Sequence, residues 1–114
     1  GPATELEAMV AEFKARRDLM VEGLNRIPGI TCRVPEGAFY AFPNVGELIG
    51  RTYKGKPIKG SVHLSEILLE DFLLAAVPGE PFGAEGHLRF SFATSRAVIE
   101  KGLKRLAELV AGLS

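Results

Sequence analysis

Gly86-His87-Leu88-Arg89-Phe90-Ser91-Phe92-Ala93 is the stretch that decides how this chain folds. Leu88, Phe90 and Phe92 fall on one side of an extended segment, and His87, Arg89, Ser91 and Ala93 fall on the other. That two-residue period is the pattern of a half-buried strand. The strand puts an arginine on its open face. An arginine there is either an ordinary solvated side chain or an anion clamp, because a guanidinium presents a planar fork matched to a carboxylate. The small or polar neighbours His87, Ser91 and Ala93 leave room on that face for a ligand or another domain.

The elements around the strand follow from it. Downstream, Thr94 or Ser95 can cap a helix whose stripe is Ile99, Leu103, Leu106, Val110 and Leu113. Upstream, Pro78 to Gly86 holds two prolines and three glycines and reads as a set of turns. Before it, Leu73 to Val77 reads as a short buried strand. A helix over about 62–72 precedes that, with Leu64, Ile67, Leu68 and Phe72 as its apolar face. Asn44 to Gly60, with four glycines and a basic stretch from Arg51 to Lys59, reads as a long loop carrying at most a short turn of helix.

The first third of the chain reads as a helix and two strands. Leu6, Met9, Val10, Phe13, Met20, Leu24 and Ile27 recur at helical spacing, and Thr4 and Glu7 have the spacing of a capping box, the alternative being that Thr4 lies inside a longer helix of a parent chain. Pro28-Gly29 stops the helix. Ile30, Cys32 and Val34 alternate, Pro35-Glu36-Gly37 turns the chain, and Ala38 to Phe42 is rich in aromatics, so the two segments are expected to form an antiparallel hairpin. The order is α-β-β-α-β-β-α. The expected class is α/β with an α+β-like character: one mixed, partly antiparallel sheet of about four strands, helices packed on a face. Gly1-Pro2 has the form of a tag-cleavage remnant, which leaves a single small domain over 3–114.

Composition narrows the function classes. The chain has 114 residues and is 46% hydrophobic, enough for a real core. Fourteen basic residues balance 14 acidic ones, so no general attraction to nucleic acid or acidic lipid is expected. No apolar run reaches bilayer length. Cys32 is the single cysteine, which excludes an internal disulfide and suits a cytoplasmic protein. His63 and His87 lack acidic partners at ligand spacing, so no metal site is expected, and His63 reads as exposed or capping. Ser91 lacks the glycine-flanked elbow of a hydrolase nucleophile.

Four short motifs, in order, resemble one family. Arg16-Arg17-Asp18, then Pro35-Glu36-Gly37-Ala38-Phe39-Tyr40-Ala41-Phe42, then Val77-Pro78-Gly79-Glu80-Pro81-Phe82-Gly83, then Gly86 to Ala93, resemble the C-terminal small domain of class I/II (fold-type I) aminotransferases, the aspartate aminotransferase-like enzymes. The likeness runs from about Phe13 to Leu109. It is specific for the superfamily and not for one substrate.

The resemblance implies roles. Arg89 matches the arginine that grips the substrate α-carboxylate, and Phe39 matches an aromatic lining the substrate side of the pocket. Tyr40, on the opposite strand face from Phe39, is read as structural. The resemblance implies a parent enzyme that uses pyridoxal 5'-phosphate (PLP) to move an amino group from an amino acid to a 2-oxo acid, with this domain holding substrate and closing over it. The lysine, the acid and the phosphate cradle that such an enzyme needs belong to the family's large domain. None of Lys14, Lys54, Lys56, Lys59, Lys101 and Lys104 lies in a stretch like the family's cofactor-lysine motif. This chain by itself is therefore expected to lack catalytic residues, bound PLP and activity. Its expected partners are the large domain and small amino and oxo acids, with a homodimeric parent and a fragment that can be monomeric. Two rival readings remain: another fold-type I PLP lyase or synthase, and a ligand-sensing aminotransferase-like module of a transcription regulator.

Overall fold

A computed structural model describes residues 2–114. Helix α1 runs from Pro2 to Asn25. Thr4 lies inside it, so the expected capping box at Thr4 and Glu7 does not form. Strand β1 (Tyr40–Ala41) is followed by a 3₁₀ turn (Gly46–Leu48) and a small hairpin of β2 (Thr52–Tyr53) and β3 (Lys56–Pro57). Helix α2 covers Ser61–Phe72, β4 is Val77–Pro78, β5 is Leu88–Ser91, and α3 is Arg96–Ala111. A second 3₁₀ turn, Glu80–Phe82, lies between β4 and β5.

The central sheet has the order β1-β5-β4 and is antiparallel at both joints. Thr31 adds an isolated bridge to Asn44, which in turn bridges His87, so a fourth segment touches the sheet at one point. The α/β class expected from the sequence stands. The sheets are small and, among the described residues, wholly antiparallel rather than mixed.

Three local expectations are corrected, each for a visible reason. The strand expected at 30–34 shrinks to the Thr31 bridge because the Asn25 amide takes both backbone groups of Cys32: its Oδ1 accepts from Cys32 N–H at 2.8 Å and its Nδ2 donates to Cys32 C=O at 2.9 Å. Those groups are then unavailable to a neighbouring strand. The strand expected over Leu73 to Val77 is cut to Val77–Pro78. Leu73 ends α2 in the left-handed region (φ 54°), its side chain is exposed, and Arg105 donates to its carbonyl at 2.9 Å. The loop expected over 44–60 contains the β2–β3 hairpin as well as the helical turn. The hairpin turns at Lys54-Gly55, both at positive φ, and Tyr53 Oη donates to Asp71 of α2 at 2.7 Å.

The core lies between the sheet and the helices. Leu88 and Phe90 of β5, Phe92 just beyond it, and Ala41 of β1 are buried with Met20 and Leu24 of α1, Leu64 and Leu68 of α2, and Ile99, Leu106 and Leu109 of α3. At about 25 cal/mol per Å² of apolar surface, each large side chain buried there stabilises the fold by roughly 1.5–3 kcal/mol. The Ser95 cap matches the sequence, its Oγ accepting from Val98 N–H at α3, while His63 Nδ1 accepts from Lys59 N–H just ahead of α2.

Helix α1 is divided along its length. Its second half is buried through Met20, Val21 and Leu24. Its first half keeps the helical stripe Leu6, Met9 and Val10 exposed, Met9 at 69%. Glu12 marks the boundary, accepting from Arg16 on α1 and from both Nε and Nη2 of Arg96 at the start of α3. Those hydrogen bonds and charges hold the Glu12 carboxyl below its ordinary value.

Candidate substrate-carboxylate site

The site begins with the register of three short strands. Val77 opposes Arg89, Ala41 opposes Phe90, and Tyr40 opposes Ser91. Side chains alternate along a strand, so Arg89, Ser91 and Tyr40 share one face while Phe90 and Ala41 share the other. The core takes the second face, which leaves the first open.

On the open face the Arg89 guanidinium lies over the Tyr40 ring, with Cζ 4.3 Å from the ring centroid. No ion pair engages Arg89 among the described residues. Its Nε is buried and has no hydrogen-bond partner. A buried N–H without a partner costs free energy, and a guanidinium with no anion beside it among the described residues is a candidate for binding one. The group is held by a strand and an aromatic ring rather than by a carboxylate.

The turn ahead of β5 is fixed from several sides. Gly79 N–H donates to His87 C=O and accepts, through its carbonyl, from Ala84 N–H. A Cβ on Gly79 would collide with the Ala84 carbonyl oxygen and come within 2.9 Å of that of His87, so the turn requires glycine there. Glu85 closes the other side. Its carboxylate accepts from Gly86 N–H at 2.9 Å, from Ser61 N–H at 2.8 Å and from Ser61 Oγ at 3.3 Å. Ser61 is fully buried and its Oγ also accepts from Glu80 N–H. Glu85 therefore caps α2 from a distance in sequence, where Gly60 has no side chain to do so. The Gly86 and Ser61 amides hold its carboxyl below the ordinary value.

Of the two residues singled out from the sequence, Arg89 stands on the open face as described. The Phe39 ring meets Phe13 edge-on at 5.1 Å and Phe92 at 6.4 Å, and it lines a recess of about 240 Å³ with Met9 and Arg16. The aromatic that meets Arg89 is Tyr40, which the sequence reading set aside. The signal that finds it is register: in an antiparallel pair a residue opposite Ser91 stands diagonal to Arg89 on the same face.

This arrangement of three helices around a small antiparallel sheet, with an unpaired arginine on its open face, can be compared with known proteins. The chain belongs to the aminotransferase class I and II family, whose model matches residues 2–106. It is 45% identical to an aspartate aminotransferase of Rhizobium meliloti strain 1021 over 108 residues, 94% of this chain and 26% of that enzyme. The crystal structure of the aspartate aminotransferase from Rhizobium meliloti superposes with a TM-score of 0.94 at 43% identity, covering all of this chain and 29% of that one. The alanine aminotransferase from Pyrococcus furiosus superposes with a TM-score of 0.81 at 29% identity, over 97% of this chain and 27% of that one. This chain thus spans about a quarter of the length of these relatives.

The family's cofactor, PLP, does not fit the residues present. All six lysines are exposed: Lys14 on α1, Lys54, Lys56 and Lys59 at the hairpin, Lys101 and Lys104 on α3. A Schiff-base lysine needs its neutral form favoured. Lys54 is driven the other way, raised by the Asp71 charge 3.6 Å from its Nζ. Among the described residues no helix is long and apolar enough to cross a membrane, and no three His, Cys, Asp or Glu side chains cluster as a metal site.

Proposed function

We propose that this chain is the substrate-carboxylate-binding and closing domain, residues 3–114, of a PLP-dependent aminotransferase that moves an amino group from an amino acid to a 2-oxo acid. The observation that carries this reading is the Arg89 guanidinium, held on the open face of β5 with no acidic partner and one buried, unpaired N–H. A two-point grip on the α-carboxylate restricts rotation about the substrate's Cα and fixes which of its bonds is presented for cleavage. Closing the domain over the substrate removes water and strengthens the ion pair. The remaining three quarters of the parent, cytoplasmic and homodimeric in this reading, supply the cofactor machinery.

The test is Arg89→Ala in the full-length parent, with L-aspartate as amino donor. Loss of a desolvated charge pair lowers kcat/KM by roughly a hundredfold or more, while PLP retention, read from the cofactor's absorbance after dialysis, stays near wild type. Equal losses of substrate use and cofactor retention would overturn the assigned role. The 114-residue chain alone is inactive in this reading. PLP followed by borohydride should label no single lysine stoichiometrically, and mass spectrometry of a digest decides it.

A further inference from the structure

We infer that Tyr40 is a positioning residue for Arg89: its ring is the platform that sets the plane of the guanidinium and so aims its carboxylate-binding edge. The inference rests on the reading of Arg89 just given and adds to it a second residue.

An arginine side chain on a strand has several rotatable bonds and rich rotamer entropy, which a substrate must quench on binding unless the protein has already done so. A carboxylate can quench it through a bidentate pair. No such pair reaches Arg89. A carboxylate would also occupy the fork that the substrate needs. An aromatic face solves both problems, since it attracts the cation through the ring quadrupole while leaving every N–H in the guanidinium plane unused.

The geometry fits that solution. Cζ stands 4.3 Å from the Tyr40 centroid, well inside the range of about 6 Å over which a cation is held by a ring. Tyr40 is itself fixed, because β1 pairs with β5 at Tyr40↔Ser91 and Ala41↔Phe90, and Ala41 is fully buried. Ring and guanidinium thus project from adjacent paired strands, two residues out of register. The buried Nε has no partner of its own, so no hydrogen bond within the described residues fixes the plane instead. Ser91 does not serve, because its Oγ accepts from Ala93 N–H at 3.1 Å and closes the end of the strand.

Two measurements test this. In the 114-residue chain, nitrogen-15 NMR of the Arg89 side chain reads the stacking directly. The Hε resonance is ring-current shifted in the wild type and in Tyr40→Phe, and moves back toward the free-arginine position in Tyr40→Leu. An Arg89 resonance that is the same in the wild type and in Tyr40→Leu overturns the inference. In the full-length parent, Tyr40→Leu raises KM for L-aspartate by about tenfold, the scale of a desolvated cation–π contact, with kcat changed less than KM, and Tyr40→Phe restores it. A loss confined to kcat, or a Tyr40→Phe variant as impaired as Tyr40→Leu, overturns the positioning role. Arg89→Ala separates the two levels. If it leaves KM unaltered, the carboxylate-grip reading fails. If it raises KM and Tyr40→Leu does not, only the role of Tyr40 fails.

Discussion

The two faces of β5 differ in what they ask of their side chains. On one, Leu88, Phe90 and Phe92 are pressed between α1, α2 and α3, and every atom removed leaves a void. On the other, Arg89 is held by a single ring and carries a buried N–H that the fold does not satisfy. The first face is complete within these residues. On the second, the guanidinium charge has no ion-pair partner among the described residues. One strand of four residues therefore separates side chains that specify the fold from the arginine for which a carboxylate contact is proposed.

Substitutions should respect that division. Phe92→Ala carries the largest expected cost, about 3–5 kcal/mol of unfolding free energy, because a fully buried ring leaves a cavity. Urea unfolding of the 114-residue chain measures it. Arg89→Ala in the same assay should cost about 1 kcal/mol or less, the worth of its contact with the ring. Its penalty appears instead in the parent's substrate use. If Arg89→Ala unfolded the chain as readily as Phe92→Ala, the distinction between the faces would collapse. Tyr40→Leu sits between them: modest in stability, about tenfold in KM.

Glu85→Gln should show the smallest effect, about 0.5 kcal/mol, the low end for a helix cap, because glutamine keeps an acceptor oxygen and the carboxylate is exposed. Its signature is pH. The folded-state pKa of Glu85 lies below its ordinary value of 4.5, so its contribution is present above about pH 4.5 and is lost as pH falls through the folded value. The difference in unfolding free energy between wild type and Glu85→Gln should therefore be constant from neutral pH down to that point and shrink below it. A difference that grew on acidification would contradict the capping role.

How much of this was legible beforehand depends on the range of the interaction. The alternation of β5, the stripes of α2 and α3 and the Ser95 cap are local patterns legible in the sequence; the alternation leaves Arg89 open as a solvated side chain or a clamp, and only the family resemblance points to the clamp. The truncation of the 30–34 strand was not, because it depends on the Asn25 amide reaching Cys32 across a turn. Nothing in the alternation of Ile30, Cys32 and Val34 reports that the backbone groups of Cys32 are already engaged. The hairpin at Thr52–Pro57 was hidden by its shortness and its lysines, which read as loop. It is held by Tyr53 on Asp71, a tertiary contact. At the site, Tyr40 was set aside because its face was judged against Phe39 alone. Only the register with β5 shows which of two adjacent aromatics meets the arginine.

Helix α1 carries a further consequence. It is 24 residues long, roughly 36 Å at 1.5 Å per residue, in a molecule whose longest dimension is 57 Å. From Met20 to Leu24 its backbone hydrogen bonds open only when the core does. Ahead of Glu12 they rest on the intrinsic preference of a short, solvated segment, which is marginal in water. One continuous helix thus spans two regimes of local unfolding, with the Glu12–Arg96 clip as the border. Amide protons should become steadily longer-lived along it, from a solvent-exchanging start to a core-locked end. Any partner that covers Leu6, Met9 and Val10 would level that gradient by lengthening the lifetimes of amides whose own hydrogen bonds it never touches.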